Sequence, residues 1–184
     1  MIIVISFLLT FTIILNGCND TITDSITDKK IKALENSDQS LTKKKVETDG
    51  MVVNGYDSPH PLGMNQEVLV DYDYYDKNEV SRGDIVVFKT KNNINQDTDI
   101  ARIVGLPGET IIIKKGQVYI NGNKLDTFYG KDYSTQTNDS MDIPLQLNEK
   151  EYFILADIRW RGMNDSQSAA GFRKEEIVGK VVGY

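Results

Sequence analysis

The chain has one cysteine, one histidine and one tryptophan among its 184 residues. A single cysteine cannot close an internal disulfide. A single cysteine with a single histidine cannot build a zinc site of that ligand type, and nothing else in the composition implies a cofactor. Basic charge is also scarce: 21 Lys and Arg stand against 27 Asp and Glu, a net charge of −6. Such a chain has no basic face to neutralise phosphates, which argues against a nucleic-acid partner. It argues equally against adhesion to an anionic membrane by charge alone. No helical period persists over a long window, and there is no internal repeat.

The one sustained apolar run is Ile2 to Leu15. It is shorter than the ~20 residues that span a bilayer comfortably. It fits the apolar region of an export signal. It ends in Leu15-Asn16-Gly17-Cys18, which resembles a bacterial lipobox. There a small residue precedes the cut and the following cysteine takes the lipid. Residues 1–17 are therefore expected to be a signal sequence and Cys18 a lipid attachment site. The chain would then sit on the outer face of the bacterial cytoplasmic membrane. The alternative is a single N-terminal anchor that stays uncleaved. From Asn19 to Gly50 polar residues dominate and aromatics are absent. That composition cannot offset the entropy of ordering, so residues 18–50 read as a polar, flexible linker. Ile31 to Leu34 is the one place for a helical turn, and Lys43-Lys44-Lys45 reads as part of the spacer.

After Met51 the pattern changes to short β-rich runs punctuated by Gly, Asn and Asp. Candidate strands are Met51–Asn54, Glu67–Tyr72, Asp84–Thr90, Ile100–Gly105, Thr110–Lys114, Gln117–Ile120, Tyr152–Ala156 and Ile177–Val182. Lys115-Gly116 and Asn121-Gly122-Asn123 are turn signals, because Gly and Asn tolerate positive φ. Asp126–Asn148 is polar and irregular, an inserted loop or hairpin. Arg173–Glu176 has room for one helical turn. The expected fold is mainly β, an antiparallel domain over residues 51–184.

Four segments in order carry a family resemblance. They are Gly83-Asp84-Ile85-Val86-Val87-Phe88, Arg102-Ile103-Val104-Gly105-Leu106-Pro107-Gly108-Glu109, Asp157 with Arg159, and Ile177-Val178-Gly179-Lys180-Val181. Together they resemble the boxes of type I signal peptidases. Val53-Asn54-Gly55, Pro61-Leu62 and Val68-Leu69-Val70 more loosely resemble the nucleophile box. The resemblance implies a β-domain with a groove for extended substrate, and a serine–lysine protease that removes signal peptides outside the membrane. The lysine must be neutral to take the serine proton, so it is buried among apolar groups. The resemblance also implies groove or structural roles for Gly55, Pro61, Asp84, Arg102, Gly105, Pro107, Gly108, Asp157, Arg159, Asp165 and Ser166, with the charged residues forming a network.

The chemistry departs from that pattern. Without gaps, the serine position holds Asp57; a one-residue slip would offer Ser58 instead. The lysine position, just before Arg102, holds Ala101, which cannot accept a proton. The serine that would orient the lysine is replaced by Gly162, and Asp165-Ser166 echoes the family Asp-Ser one residue late. Asp57 is a poor nucleophile, since attack on an amide would give a mixed anhydride. Its charge would also oppose the developing oxyanion by ~4 kcal/mol at 4 Å and an effective dielectric of 20. A Ser58–His60 dyad lacks a group to orient the imidazole, and an Asp57 pair with Asp157 or Asp165 needs a shared proton. Trp160 could line a peptide groove or simply pack.

Three functions remain in view. The first is a non-catalytic, membrane-tethered signal peptidase-like protein that binds extended peptides or signal peptides, or modulates an active signal peptidase. The second is an active serine endopeptidase with a relocated Ser58 dyad. The third is a structural or interaction lipoprotein on the same β-fold.

Overall fold

The structure, a computed structural model, describes residues 21–23, 31, 34, 40–52, 62–91, 94, 97–132 and 140–184. Cys18, Gly55, Asp57, Ser58, His60 and Pro61 lie outside the described residues, as does most of the expected helical turn at Ile31–Leu34.

Among the described residues there are eleven strands in two antiparallel sheets. The larger sheet contains β1 (Thr42–Lys45), β2 (Glu67–Asp71), β3 (Ile85–Lys89), β4 (Thr98–Gly105), β9 (Glu151–Leu155), β10 (Phe172–Arg173) and β11 (Ile177–Gly183). Its strand order is β1-β2-β11-β3-β4-β9-β10. The smaller sheet contains β5 (Thr110–Lys114), β6 (Gln117–Ile120), β7 (Asn123–Lys124) and β8 (Leu145–Gln146), in the order β7-β6-β5-β8. Two helices of one turn, α1 (Tyr74–Lys77) and α2 (Ser166–Ala169), flank the larger sheet. The expected turn at Arg173–Glu176 is a 3₁₀ turn over Lys174–Glu176.

Alternation along β9 builds two cores. Tyr152 and Ile154 face the core of the larger sheet, while Phe153 and Leu155 face that of the smaller one. Successive strand residues point to opposite faces, so one strand can serve as the wall between two cores. Ala101 and Ile103 of β4 join the larger core, and Val104 joins the smaller. Each Val, Ile, Leu or Phe fully removed from water contributes roughly 1.5–3 kcal/mol, so this wall anchors both sheets.

The two hairpin turns of the small sheet need left-handed backbone. Lys115 and Gly116 have φ of 49° and 75°, and Asn121 and Gly122 have 51° and 84°. Both turns fall at the Gly and Asn signals.

The larger sheet begins inside the stretch read as a linker. Lys43, Lys44 and Lys45 are not spacer but most of edge strand β1, in register with Leu69, Val68 and Glu67. Composition misleads here because an edge strand needs only one partner, and lysine is a common edge residue. Val46 and Met51 are then buried at 1% exposure. Met51–Val52, expected to open a strand, follows a turn instead, with the Val52 N–H donating to the Asp49 carbonyl at 3.3 Å. Further upstream, Ile22 pairs with Leu125 as a parallel bridge, and the Leu34 N–H donates to the Tyr184 carbonyl at 3.1 Å.

Candidate functional site

β4 carries the positions that matter, and its two halves differ. From Arg102 to Gly105 it pairs with β3 or the preceding turn on one side and β9 on the other. Among the described residues, it pairs with β3 alone from Thr98 to Ala101. The other edge of that half faces the segment that follows β1. Lys44 Nζ donates to Thr98 Oγ1 at 3.0 Å, and Thr48 Oγ1 donates to Asp99 Oδ1 at 2.9 Å. The sheet therefore curls until its first strand reaches the other edge of β4, at a seam bridged by side chains. Within the seam the Ile100 N–H donates to the Asp99 carboxylate at 2.8 Å. That edge donor is occupied by the protein itself, one way of blunting an open edge.

Ala101 lies beside this seam, with 2% exposure, inside the larger core. Strand alternation puts Asp99 on the same face. The Asp99 carboxylate also accepts from Asn164 Nδ2 at 3.0 Å. Thr48, Asp99 and Asn164 thus form a polar network that motif reading missed. The available signal was parity: a residue two before a buried alanine on a strand must face inward too.

Next to Asp99 stands Asp165, 1% exposed. It caps α2 by accepting from the Gln167 N–H at 3.0 Å and accepts from the Ala156 N–H at 2.9 Å. Burial pushes its carboxyl up from 3.8 to about 7; the two backbone donors and Arg159 oppose this, and Asp99 adds to it. Gly162 underlies this carboxylate. A Cβ on Gly162 would stand 2.1 Å from Asp165 Oδ2 and 2.9 Å from the Ala156 Cβ. The one-residue delay in Asp165-Ser166 has physical content: the extra residue brings the aspartate into the space a serine side chain at 162 would need. Ser166 Oγ accepts from the Ile154 N–H at 2.9 Å, which pins α2 to β9.

On the other half of β4, Arg102 is fully buried and grips Asp157 through two hydrogen bonds of 2.8 and 2.7 Å. A third goes to the Gly83 carbonyl at 2.9 Å. Its guanidinium also faces the rings of Phe128 and Tyr129 at 4.9 and 5.0 Å. Arg159, 2% exposed, donates to the carbonyls of Ala156, Asp157 and Tyr129. Burial pulls its pKa down, against the pull of the surrounding aspartates. Asp84 accepts from Tyr75 Oη at 2.9 Å and from Lys180 at 2.7 Å. Burial lowers the Lys180 pKa, but the Asp84 bond and charge outweigh it and the net displacement is upward. That is the wrong direction for a neutral amine base.

Leu106-Pro107-Gly108-Glu109 is a turn closed by the Glu109 N–H to the Leu106 carbonyl at 3.2 Å, with Gly108 at φ 78°. Proline followed by a glycine of positive φ suits the central positions of such a turn. Glu109 is held by Arg82 through two hydrogen bonds of 2.9 and 2.6 Å. Gly105 stands at a register shift, where a Cβ would meet Ile111 and Phe153 at 2.8 Å. This motif joins the two sheets. Trp160 is 48% exposed and stacks on Arg161, so it lies at the surface. Among the described residues, no three His, Cys, Asp or Glu side chains gather as a metal-binding group, and no helix is long and apolar enough to cross a membrane.

Comparison with known proteins agrees with the fold. The family model described as "Signal peptidase, peptidase S26" matches residues 34–184. Signal peptidase I S of Bacillus subtilis (strain 168) is 34% identical over 136 residues, covering 70% of this chain and 71% of its own. Signal peptidase I of Bacillus amyloliquefaciens is 29% identical over 136 residues, covering 70% of each chain. A crystal structure of a signal peptidase I from Enterococcus faecalis V583 has a TM-score of 0.47 and 27% identity, covering 56% of this chain and 97% of that one.

Proposed function

The chain belongs to the signal peptidase (peptidase S26) family, and on that premise we propose that it is a non-catalytic member, held on the outer face of the cytoplasmic membrane by a lipidated Cys18. The observation that carries this reading is the surroundings of Ala101. At the position of the proton acceptor there is a methyl group, 2% exposed in the apolar core. Among the described residues, the buried ionisable groups of this corner are the carboxylates of Asp99, two positions earlier on the same face of the strand, and Asp165, which interacts with Asp99. A carboxylate stabilises a protonated lysine, so these neighbours oppose a neutral base even if an amine were brought in. With Asp57 at the nucleophile position, both halves of the serine–lysine pair are replaced.

The retained function is capture of an extended peptide along the edge of β4 that faces β1, alongside Thr98–Ala101, by displacement of the side chains that now bridge it. Backbone pairing to an exposed edge gives affinity without any chemistry. The peptide would displace Asp99 from the Ile100 N–H and replace the Thr48 and Lys44 bridges. The same bridges support a second reading, in which the seam stays closed and the domain serves as a structural or interaction lipoprotein. An active enzyme relying on Ser58 is disfavoured because Lys180, the lysine with a displaced pKa among the described residues, is held charged by Asp84.

The test measures binding and cleavage separately, on the purified full chain with a fluorescent signal-peptide mimic. Saturable binding without cleavage supports capture. Asp99→Ala should then strengthen binding severalfold by freeing the edge donor. No binding by either protein selects the closed-seam reading. Cleavage that Ser58→Ala abolishes would overturn the proposal.

A further inference from the structure

The segment between the apolar N-terminus and β1 is pinned to the domain at three points. Ile22 donates its N–H to the Lys124 carbonyl and accepts from the Asp126 N–H, both at 2.9 Å, and its side chain packs against the core of the smaller sheet. Ile31 packs against the core of the larger sheet. Leu34 is bonded to the carbonyl of Tyr184, the last residue of the chain. The path from the N-terminus therefore touches the smaller sheet first and the larger sheet second.

Chain length makes this order consequential. Four residue steps separate Cys18 from Ile22. A fully extended chain covers at most about 3.3–3.6 Å per residue, so Ile22 lies within about 14 Å of the Cys18 backbone. Were the chain free from Cys18 to β1, its 24 steps would give a root-mean-square span of about 25–30 Å. The docked Ile22 removes most of that freedom.

We infer that the β7 end of the smaller sheet, around Asn123–Lys124, rests against the phospholipid headgroups of the chain's own membrane. This rests on Cys18 being the point of lipid attachment. The bilayer's polar zone is itself about 5–8 Å deep on each side, so a 14 Å leash leaves room for little but headgroups between the sheet and the acyl chains. The Lys89–Thr98 end of the β3–β4 pair is seven residue steps along β4 from the Gly105 junction with the smaller sheet. At ~3.3 Å per step that is about 23 Å from the junction. On this inference the seam at Thr98–Ala101 stands farther from the lipid than β7 does, toward exported chains rather than toward peptides still embedded in the bilayer.

The experiment uses the full-length protein extracted from bacterial membranes and reconstituted in phosphatidylglycerol–phosphatidylethanolamine vesicles that carry a rhodamine-labelled headgroup lipid. Because acylation consumes the Cys18 thiol, Lys124→Cys and Lys89→Cys each offer one thiol for a donor dye. Energy transfer to the headgroups should be at least twofold greater from position 124 than from 89. Ile22→Asp should erase that difference. A twelve-residue Gly/Ser insertion after Asp20 should also erase it, while leaving the docked strap and the fold intact. Equal transfer from both positions in the parent chain overturns the inference, as does a difference that survives the insertion. The mass of the extracted protein separates the two premises: a retained 1–17 segment overturns the lipidated Cys18, whereas the dye comparison decides the strap.

Discussion

The two halves of β4 are held by opposite electrostatics. Around Arg102 the charges form ion pairs of opposite sign, Asp157 with Arg102 and Glu109 with Arg82. Around Ala101 the buried charges share one sign, with Asp99 and Asp165 side by side and satisfied mainly by neutral donors. The first half contains the residues that match the signal peptidase boxes; the second contains the positions where chemistry would occur. The difference teaches that this chain's fold is secured at the junction of the two sheets. The reactive corner can change without disturbing that junction, because it lies on the half of the strand that β9 does not pair.

Removing a partner at the junction should do the most damage. Asp157→Ala removes the carboxylate that takes two hydrogen bonds from the fully buried Arg102 guanidinium. Breaking a buried ion pair by removing one partner typically costs about 3–5 kcal/mol, which is much of the stability of a domain this size. Chemical denaturation should show either a loss near the top of that range or no folded state. A loss under about 1 kcal/mol would break the comparison, since the pair would then be dispensable.

At the other corner the effect should depend on pH. Asp165 has an unfolded value near 3.8 and is raised to about 7 in the folded chain. The folded state therefore holds its proton to higher pH than the unfolded state does. Its contribution is most favourable below about pH 4 and is lost as pH rises toward 7. At 1.36 kcal/mol per unit, the loss has an upper bound of roughly 4 kcal/mol. Asp165→Asn keeps a capping side chain but cannot ionise. Its stability should be flatter than the parent's between pH 4 and 7, and higher than the parent's at pH 8. Parallel pH profiles for the two proteins would mean that the carboxylate is not strained.

How far the sequence discloses all this follows the same division. The seven longer strands after β1, the two Gly-bearing hairpin turns and the Leu106–Glu109 turn are legible because period-two patterns and φ requirements are local, whereas Met51–Val52 has the pattern of a strand and is not one. The bounds of Thr110–Lys114 and Gln117–Ile120 coincide with β5 and β6. Strand β1 is illegible because three lysines at an edge carry no apolar period; only pairing with Glu67–Val70 makes them a strand. The seam is illegible for another reason. Thr48, Asp99 and Asn164 are far apart in sequence, and only the curl of the sheet brings them together. The replacement of the lysine by Ala101 is visible in the sequence, but the carboxylates that took over its surroundings are not.

Gly162 offers the finest probe of that corner. Its absent side chain and the Asp165 carboxylate claim the same space, so each should be tolerable only in relation to the other. Gly162→Ala puts a methyl 2.1 Å from Asp165 Oδ2, and the loop must shift or the carboxylate must leave its backbone donors. Overpacking of this kind costs typically about 1–3 kcal/mol. In the Asp165→Ala background the same methyl no longer meets the Asp165 carboxylate, and of its three nearest atoms the Ala156 Cβ at 2.9 Å remains. The second substitution should then cost less than about half as much as it does alone. Denaturation of the four proteins of this double-mutant cycle gives the coupling directly; contacts of this closeness show about 0.5–3 kcal/mol. Additive costs would mean that Gly162 answers to Ala156 instead. The missing serine would then reflect a tight strand-to-loop contact rather than the late arrival of an aspartate.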